Sequence, residues 1–252
     1  MSEEYHCQVC GSGRLSDING FSRLPRITSD CKPFRAGGRL VECADCGATQ
    51  ALPSASWLAE ISEIYAQFTP YYQSAGVEQV VLDNNTGTLR RRSDVIVSHL
   101  SANDVLPAFG RALDVGCGSG VTLRALSTAR PEWTLFGQDI DDSRRDHLAS
   151  IPNFRQYYAC PPAQINGEFN LVTLIHSLEH FPSPFSILNQ LRSKISSTGR
   201  LFIQVPNALE NPFELVIADH LMHFTPRTLA QLVEHAGFKI DVLATTWVTK
   251  EL

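Results

Sequence analysis

The stretch Leu113-Asp114-Val115-Gly116-Cys117-Gly118-Ser119-Gly120 decides the reading of this chain. Apolar residues on either side of an acid end a strand, and glycine then recurs at every second position. An amphipathic segment, Val121 to Ala129, follows. Glycine permits a tight strand-to-helix turn and lets the backbone approach a ligand closely. A dinucleotide-type G-x-G-x-x-G read from Gly116 would need glycine at position 121, where valine stands. A glycine-rich turn without a ligand is the plain alternative.

The downstream sequence bears on that choice. Trp133 to Ile140 reads as a second strand and brings Asp139 about twenty residues beyond the glycines, where an acid can accept hydrogen bonds from ribose hydroxyls. Taken alone, Asp139 would equally serve as a helix N-cap. Phe169 to His176 is a near-continuous apolar run, as expected of a strand buried on both faces, and it leads into Ser177-Leu178-Glu179-His180-Phe181. A helical segment over Pro184 to Ile195 and a strand over Gly199 to Val205 come next. Thr225-Pro226 caps a helix with the apolar stripe Leu229, Leu232, Val233 and Ala236, closed by Gly237. The alternation from Arg111 predicts an α/β, doubly wound, mostly parallel sheet. Lys239 to Trp247 is the last candidate strand, so a reversed seventh strand is expected to be short or absent.

The 252 residues carry a net charge of −5, with 43% hydrophobic and 19% charged side chains. That balance argues against extensive phosphate contacts and so against a nucleic-acid partner. Arg90-Arg91-Arg92 is too short a basic run to change this. No apolar stretch reaches the ~20 residues that span a bilayer, and the first residues lack the pattern of an export signal. A cytoplasmic location with no membrane partner is the expectation.

Four of the seven cysteines form two Cys-x-x-Cys pairs, Cys7/Cys10 and Cys43/Cys46, each followed by glycine. Such knuckles present paired thiolates to one ion, and two of them complete a tetrahedral structural Zn2+ site. The rivals are disulfides, which a reducing compartment disfavours, and a redox dithiol, which needs only one pair. Cys31 is a further thiol that could approach the metal. Residues 1–52 then form a zinc-binding module, 53–110 a helical linker and lid region, and 111–252 the main domain. Within the linker, Trp57, Ile61, Ile64 or Tyr65, and Phe68 share one helix face. Residues 73–87 read as loop, and Thr88 to Leu100 as a second helix.

The acid followed by G-x-G-x-G resembles motif I of the class I S-adenosylmethionine-dependent methyltransferases, a Rossmann-like fold. The His-Ser-Leu-Glu-His segment at 176–180 resembles their small-molecule branch. With the four-cysteine module and the segment Asp219 to Leu229, the chain looks like methyltransferases acting on sugars and natural products. The sugar C-methyltransferases continue into a further carboxy-terminal domain, and none is expected here. The chain also has no acid in Ala159-Cys160-Pro161-Pro162-Ala163, where many relatives place one for adenine.

The resemblance implies roles. The turn Gly116-Cys117-Gly118-Ser119-Gly120 would admit the methionyl part of the cofactor, and Asp114 would orient its amine. Asp139 and Ile140 would hold ribose and adenine, with His176 nearby. The partner would be a small hydroxylated acceptor, methylated on oxygen, with His180 as the base because histidine titrates near neutrality. His220 and His223 are candidates for an acceptor-site wall, and Tyr71 and Tyr72 for a lid. Glu179 with His180 and His176 offers donors for a divalent ion, although sequence neighbours rarely face one site. Two other readings stay open: a ribosomal-RNA base methyltransferase with a zinc module, and a non-catalytic, zinc-nucleated binding protein on a methyltransferase scaffold.

Overall fold

The computed structural model describes residues 4–69, 78, 80–83, 86–102, 106–245 and 248–249. In chain order the first strands are β1 (Leu15–Asp17), β2 (Arg26–Ile27), β3 (Pro33–Phe34), β4 (Leu40–Cys43) and β5 (Thr49–Ala51). Helix α1 (Ala55–Ala66) precedes β6 (Val80–Asp83), β7 (Thr88–Arg91) and α2 (Arg92–Ala102). The core elements are β8 (Arg111–Val115), α3 (Val121–Ala129), β9 (Thr134–Gln138), α4 (Arg145–Ala149), β10 (Phe154–Tyr158) and β11 (Phe169–Ile175). Last come α5 (Pro184–Arg192), β12 (Ile195–Gln204), β13 (Met222–His223), α6 (Pro226–His235) and β14 (Val248–Thr249).

The chain forms two compact units. One contains Met1–Gln73, Leu178–Asn189 and Val205–Thr245; the other contains Ser74–Ser177, Gln190–Gln204 and Thr246–Leu252. The segments after Ser177 and after Gln204 therefore cluster with the cysteine module, although the sequence reading placed them in the main domain. The reason is pairing. Met222 and His223 of β13 lie opposite Gln50 and Thr49 of β5, and Ala51 N–H donates to Leu221 O at 2.7 Å. Trp57, buried on α1, donates its indole N–H to Ala218 O at 3.2 Å.

The second unit holds a five-stranded sheet in the order β10-β9-β8-β11-β12, with every pairing parallel. Its strands are apolar because both faces are covered: Ala112, Leu113, Val115, Leu135, Leu171, Val172 and Leu174 are each at most 1% exposed. Trp133 anchors the edge of this core, its indole N–H donating to Pro107 O at 2.9 Å. Strand order reverses between β8 and β11, the place where open parallel sheets bind ligands beyond their carboxyl ends.

Three expectations fail. The expected loop at 73–87 contains β6, which pairs antiparallel with β7, so the expected helix from Thr88 begins instead at Arg92. Val81 and Asp83 turn inward on β6, and the buried Asp83 carboxylate accepts from Arg90 at 2.7 Å. Residues 239–245 of the expected last strand lack strand pairing. Val248–Thr249 pairs with β6, outside the core sheet. No reversed seventh strand joins the core among the described residues.

Candidate functional site

The glycine turn lies between β8 and α3. Gly116, Gly118 and Gly120 all have positive φ (74°, 49° and 75°), a conformation that L side chains rarely adopt. Their surroundings differ. A Cβ on Gly116 would sit 2.5 Å from Ser177 Cβ, and one on Gly120 would collide with Leu148, whereas nothing lies within 4 Å of one on Gly118. Gly118 thus opens on space that a ligand can use. Its N–H donates to Asp139 Oδ2 at 2.9 Å, and Asp139 Oδ1 accepts from Ile140 N–H at 2.7 Å. A carboxylate has about four acceptor positions, so capacity for hydroxyl donors remains. Ile140, 69% exposed, presents an apolar surface beside it.

Asp114 is 3% exposed and accepts from Thr173 Oγ1 at 2.6 Å; burial pushes its carboxyl up to about 7. Cys117 is buried, and its Sγ lies 2.9 Å from where a Gly137 Cβ would be. Its thiol packs into the core, and burial pushes its pKa well up. His176 follows β11 in a left-handed conformation (φ 49°), held by its N–H to Gln204 O at 2.8 Å. Such strain in a non-glycine residue costs about 1–3 kcal/mol and tends to gather at functional sites.

His180, His220 and His223 lie in the other unit. Leu221 N–H donates to Glu179 O at 2.7 Å, tying the turn at 178–180 to the strand at 222–223. The rings of His180 and His220 are 4.6 Å apart and perpendicular. His180 Nδ1 lies 3.0 Å from Asp219 O; a carbonyl only accepts, so Nδ1 carries the proton and Nε2 the lone pair. The Asp219 carboxylate is fully buried and accepts from both Ser29 N–H and Ser29 Oγ. Glu179 is 1% exposed, and burial pushes its carboxyl up to about 7. Burial holds His223 down at about 3, so its ring is neutral. Glu179, His180 and His220 form a three-donor group; His176, weighed as the third donor from sequence, is not part of it. Tyr71 and Tyr72 lie outside the described residues.

The four paired cysteines converge. Cys7 and Cys46 Sγ are 3.5 Å apart, Cys10 and Cys43 Sγ 3.6 Å, and all four lie within 4.8 Å of one another. A tetrahedron of Zn–S bonds near 2.3 Å puts sulfurs about 3.8 Å apart. The two knuckles match in conformation: Gly11 and Gly47 both have φ 74°, and their N–H groups donate back to Cys7 O and Cys43 O at 2.9 and 2.8 Å. Burial pushes the Cys7 thiol up to about 11 and Cys46 higher, an environment that favours thiolate only beside a cation. Cys31 is exposed and outside this cluster.

Residues that the sequence reading missed include Asp219 in its buried setting, Ser29 and Glu214. No spacing signal could have joined Ser29 to a segment so distant in sequence. Among the described residues, no helix is long and apolar enough to cross a membrane.

Comparison with known proteins bears on the glycine turn and the sequence that follows it. Residues 88–243 match the family model described as Methyltransferase domain. The mitochondrial ubiquinone biosynthesis O-methyltransferase of Saccharomyces cerevisiae is 27% identical over 153 residues, 57% of this chain and 44% of that protein. The ubiquinone biosynthesis O-methyltransferase of Pseudomonas aeruginosa is 28% identical over 129 residues, 46% of this chain and 54% of that protein. The chain spans about half the length of these curated relatives. Among solved structures, a candidate methyltransferase from Bacillus halodurans C-125 superposes with a TM-score of 0.50 at 20% identity, covering 58% of this chain and 70% of that one. That likeness concerns the fold. Since the matched family model spans more than half of the sequence, the chain belongs to the Methyltransferase domain family, and within it to the S-adenosylmethionine-dependent, Rossmann-like class.

Proposed function

We propose that the protein transfers a methyl group from S-adenosylmethionine to the oxygen of a small hydroxylated acceptor, a sugar, nucleotide-linked sugar or natural-product intermediate. The observation that carries this reading is the joined pair Gly118 and Asp139: an open, left-handed glycine beside a carboxylate with acceptor positions to spare. The O-methyltransferase names of the relatives support oxygen as the methylated atom.

The cofactor supplies a methyl group made electrophilic by its sulfonium; the protein aligns the partners and excludes water. Asp139 grips the ribose hydroxyls and Ile140 covers the adenine. Gly116, Gly118 and Gly120, with the Cys117 backbone, admit the methionyl chain. Asp114 orients its amine, a cation that favours the ionised carboxylate, and His176 lines the same end of the sheet. His180 Nε2, its lone pair fixed by the Nδ1 bond to Asp219 O, accepts the acceptor's proton. His220 and His223 stand in the acceptor wall, His223 as a neutral ring. Cys7, Cys10, Cys43 and Cys46 hold a structural Zn2+, with no part in the chemistry.

Calorimetric titration of the purified protein with S-adenosylhomocysteine tests the reading. Saturable one-to-one binding is expected, and its absence would overturn the enzymatic account.

A further inference from the structure

Glu179, His180 and His220 lie in one unit, and each brings a ligand-type atom to within 4.8 Å of the other two. Two imidazoles and a carboxylate are donors suited to first-row divalent transition metals, whereas Mg2+ and Ca2+ prefer oxygen throughout. The surroundings supply an independent feature. His180 Nδ1 faces Asp219, 3.0 Å from its carbonyl and 3.4 Å from its carboxylate. His220 Nδ1 lies 3.3 Å from Glu214 Oε2. In metal centres a ligating histidine commonly sets one ring nitrogen against a carboxylate or carbonyl, which fixes the tautomer and turns the other nitrogen to the ion. His180 has such a support in the Asp219 carbonyl, while His220 Nδ1 stands at ion-pair distance from the Glu214 carboxylate; both acids are buried, Asp219 at 0% and Glu214 at 4% exposed. The bond from Leu221 N–H to Glu179 O holds the two histidine segments together.

We propose that Glu179, His180 and His220 form a binding site for one divalent transition-metal ion, separate from the four-thiol cluster. Three protein ligands leave a coordination position open to water or another oxygen donor, as in reactive sites and unlike closed structural ones. The inference rests on the proposed function in one respect. An ion held there would take the His180 Nε2 lone pair that the proposed transfer uses for the acceptor's proton, so His180 would serve as base only in the metal-free chain.

The test uses the full chain as purified, under reducing conditions and with its thiolate site filled. Excess Co2+ is added, unbound metal is removed, and retained metal per chain is read by elemental analysis and visible absorption. Wild type should retain an additional equivalent whose spectrum lacks thiolate charge transfer. Glu179→Gln and His220→Ala should each lose that equivalent while keeping the thiolate-bound metal. If wild type retains no Co2+ beyond the thiolate site, or if both variants retain as much as wild type, the proposal is overturned. The wild-type measurement stands even where a variant fails to fold. Because no turnover is needed, loss of S-adenosylhomocysteine binding in the parallel titration would count against the methyltransferase reading alone.

Discussion

The N–H of Gly118 donates to Asp139 Oδ2 at 2.9 Å, so the tip of β9 and the turn after β8 are held as one piece before any ligand arrives. Removing Asp139 should therefore harm binding in two ways, through lost acceptors and through a loosened turn. Hydrogen bonds to a charged group contribute about 1.5–3 kcal/mol each. Asp139→Ala should weaken S-adenosylhomocysteine binding by roughly a hundredfold or more, as two such bonds imply. A change of less than threefold by calorimetry would remove Asp139 from the site.

The glycines of the turn should separate into two kinds. Gly118→Ala meets no neighbouring atom, so it should cost about 1 kcal/mol of stability through its left-handed backbone, yet lose cofactor affinity because the methyl fills the open space. Gly120→Ala drives a methyl into Leu148 and within 3.0 Å of Ile151, and should cost roughly 2–4 kcal/mol by strain and overpacking. Urea unfolding and ligand titration on both variants check this. Equal losses of stability would contradict the distinction.

Burial gives Asp114 a pKa of about 7 in the folded protein against an ordinary 3.8. Between those values the unfolded chain has released the proton and the folded chain keeps it. Stability therefore falls as pH rises through this window, by on the order of 4 kcal/mol. Asp114→Asn, which can still accept from Thr173, should gain on wild type progressively from pH 4 to 7. His223 acts in the opposite sense: its ring stays neutral down to about pH 3, so stability falls as pH drops below 6.5. The quantity to measure is thus the difference between variant and wild type. A difference that stays flat with pH would show that Asp114 is ionised throughout.

On the proposed Zn2+ site, Cys43→Ser should release the metal and, with it, the order of the cysteine module. Hydrogen exchange should then accelerate in β4 and β5, while β8 and β11 keep their protection, because those strands belong to the other unit. Retention of one zinc per chain by the variant would argue against a closed four-thiolate site.

The parts of the fold that were legible in the sequence were those governed by local rules. The buried run of β11, the glycine turn and Thr225 at the start of α6 each carry their own signal, and each stands where expected. The β6–β7 pair was missed because its flanking Gly76, Asn84-Asn85 and Gly87 read as loop, while the inward turns of Val81 and Asp83 depend on tertiary packing. The cysteine cluster was legible because spacing alone dictates its chemistry. The partnership of His180 with His220 was not. It depends on contacts such as Leu221 N–H to Glu179 O and His180 Nδ1 to Asp219 O, between segments that a strand and a helix separate in sequence.

The interleaving of the two units bears on how the protein can be taken apart. Cutting before Arg111 would appear to isolate a minimal transferase, but it would strip β13 of β5 and leave Ala218 without the Trp57 indole. The orphaned stretch from Val205 onward would expose a raw sheet edge and buried acids. Truncations of this kind should yield aggregates, and any shuffling of acceptor specificity between homologues would have to exchange the amino-terminal module and the distal segment as a pair.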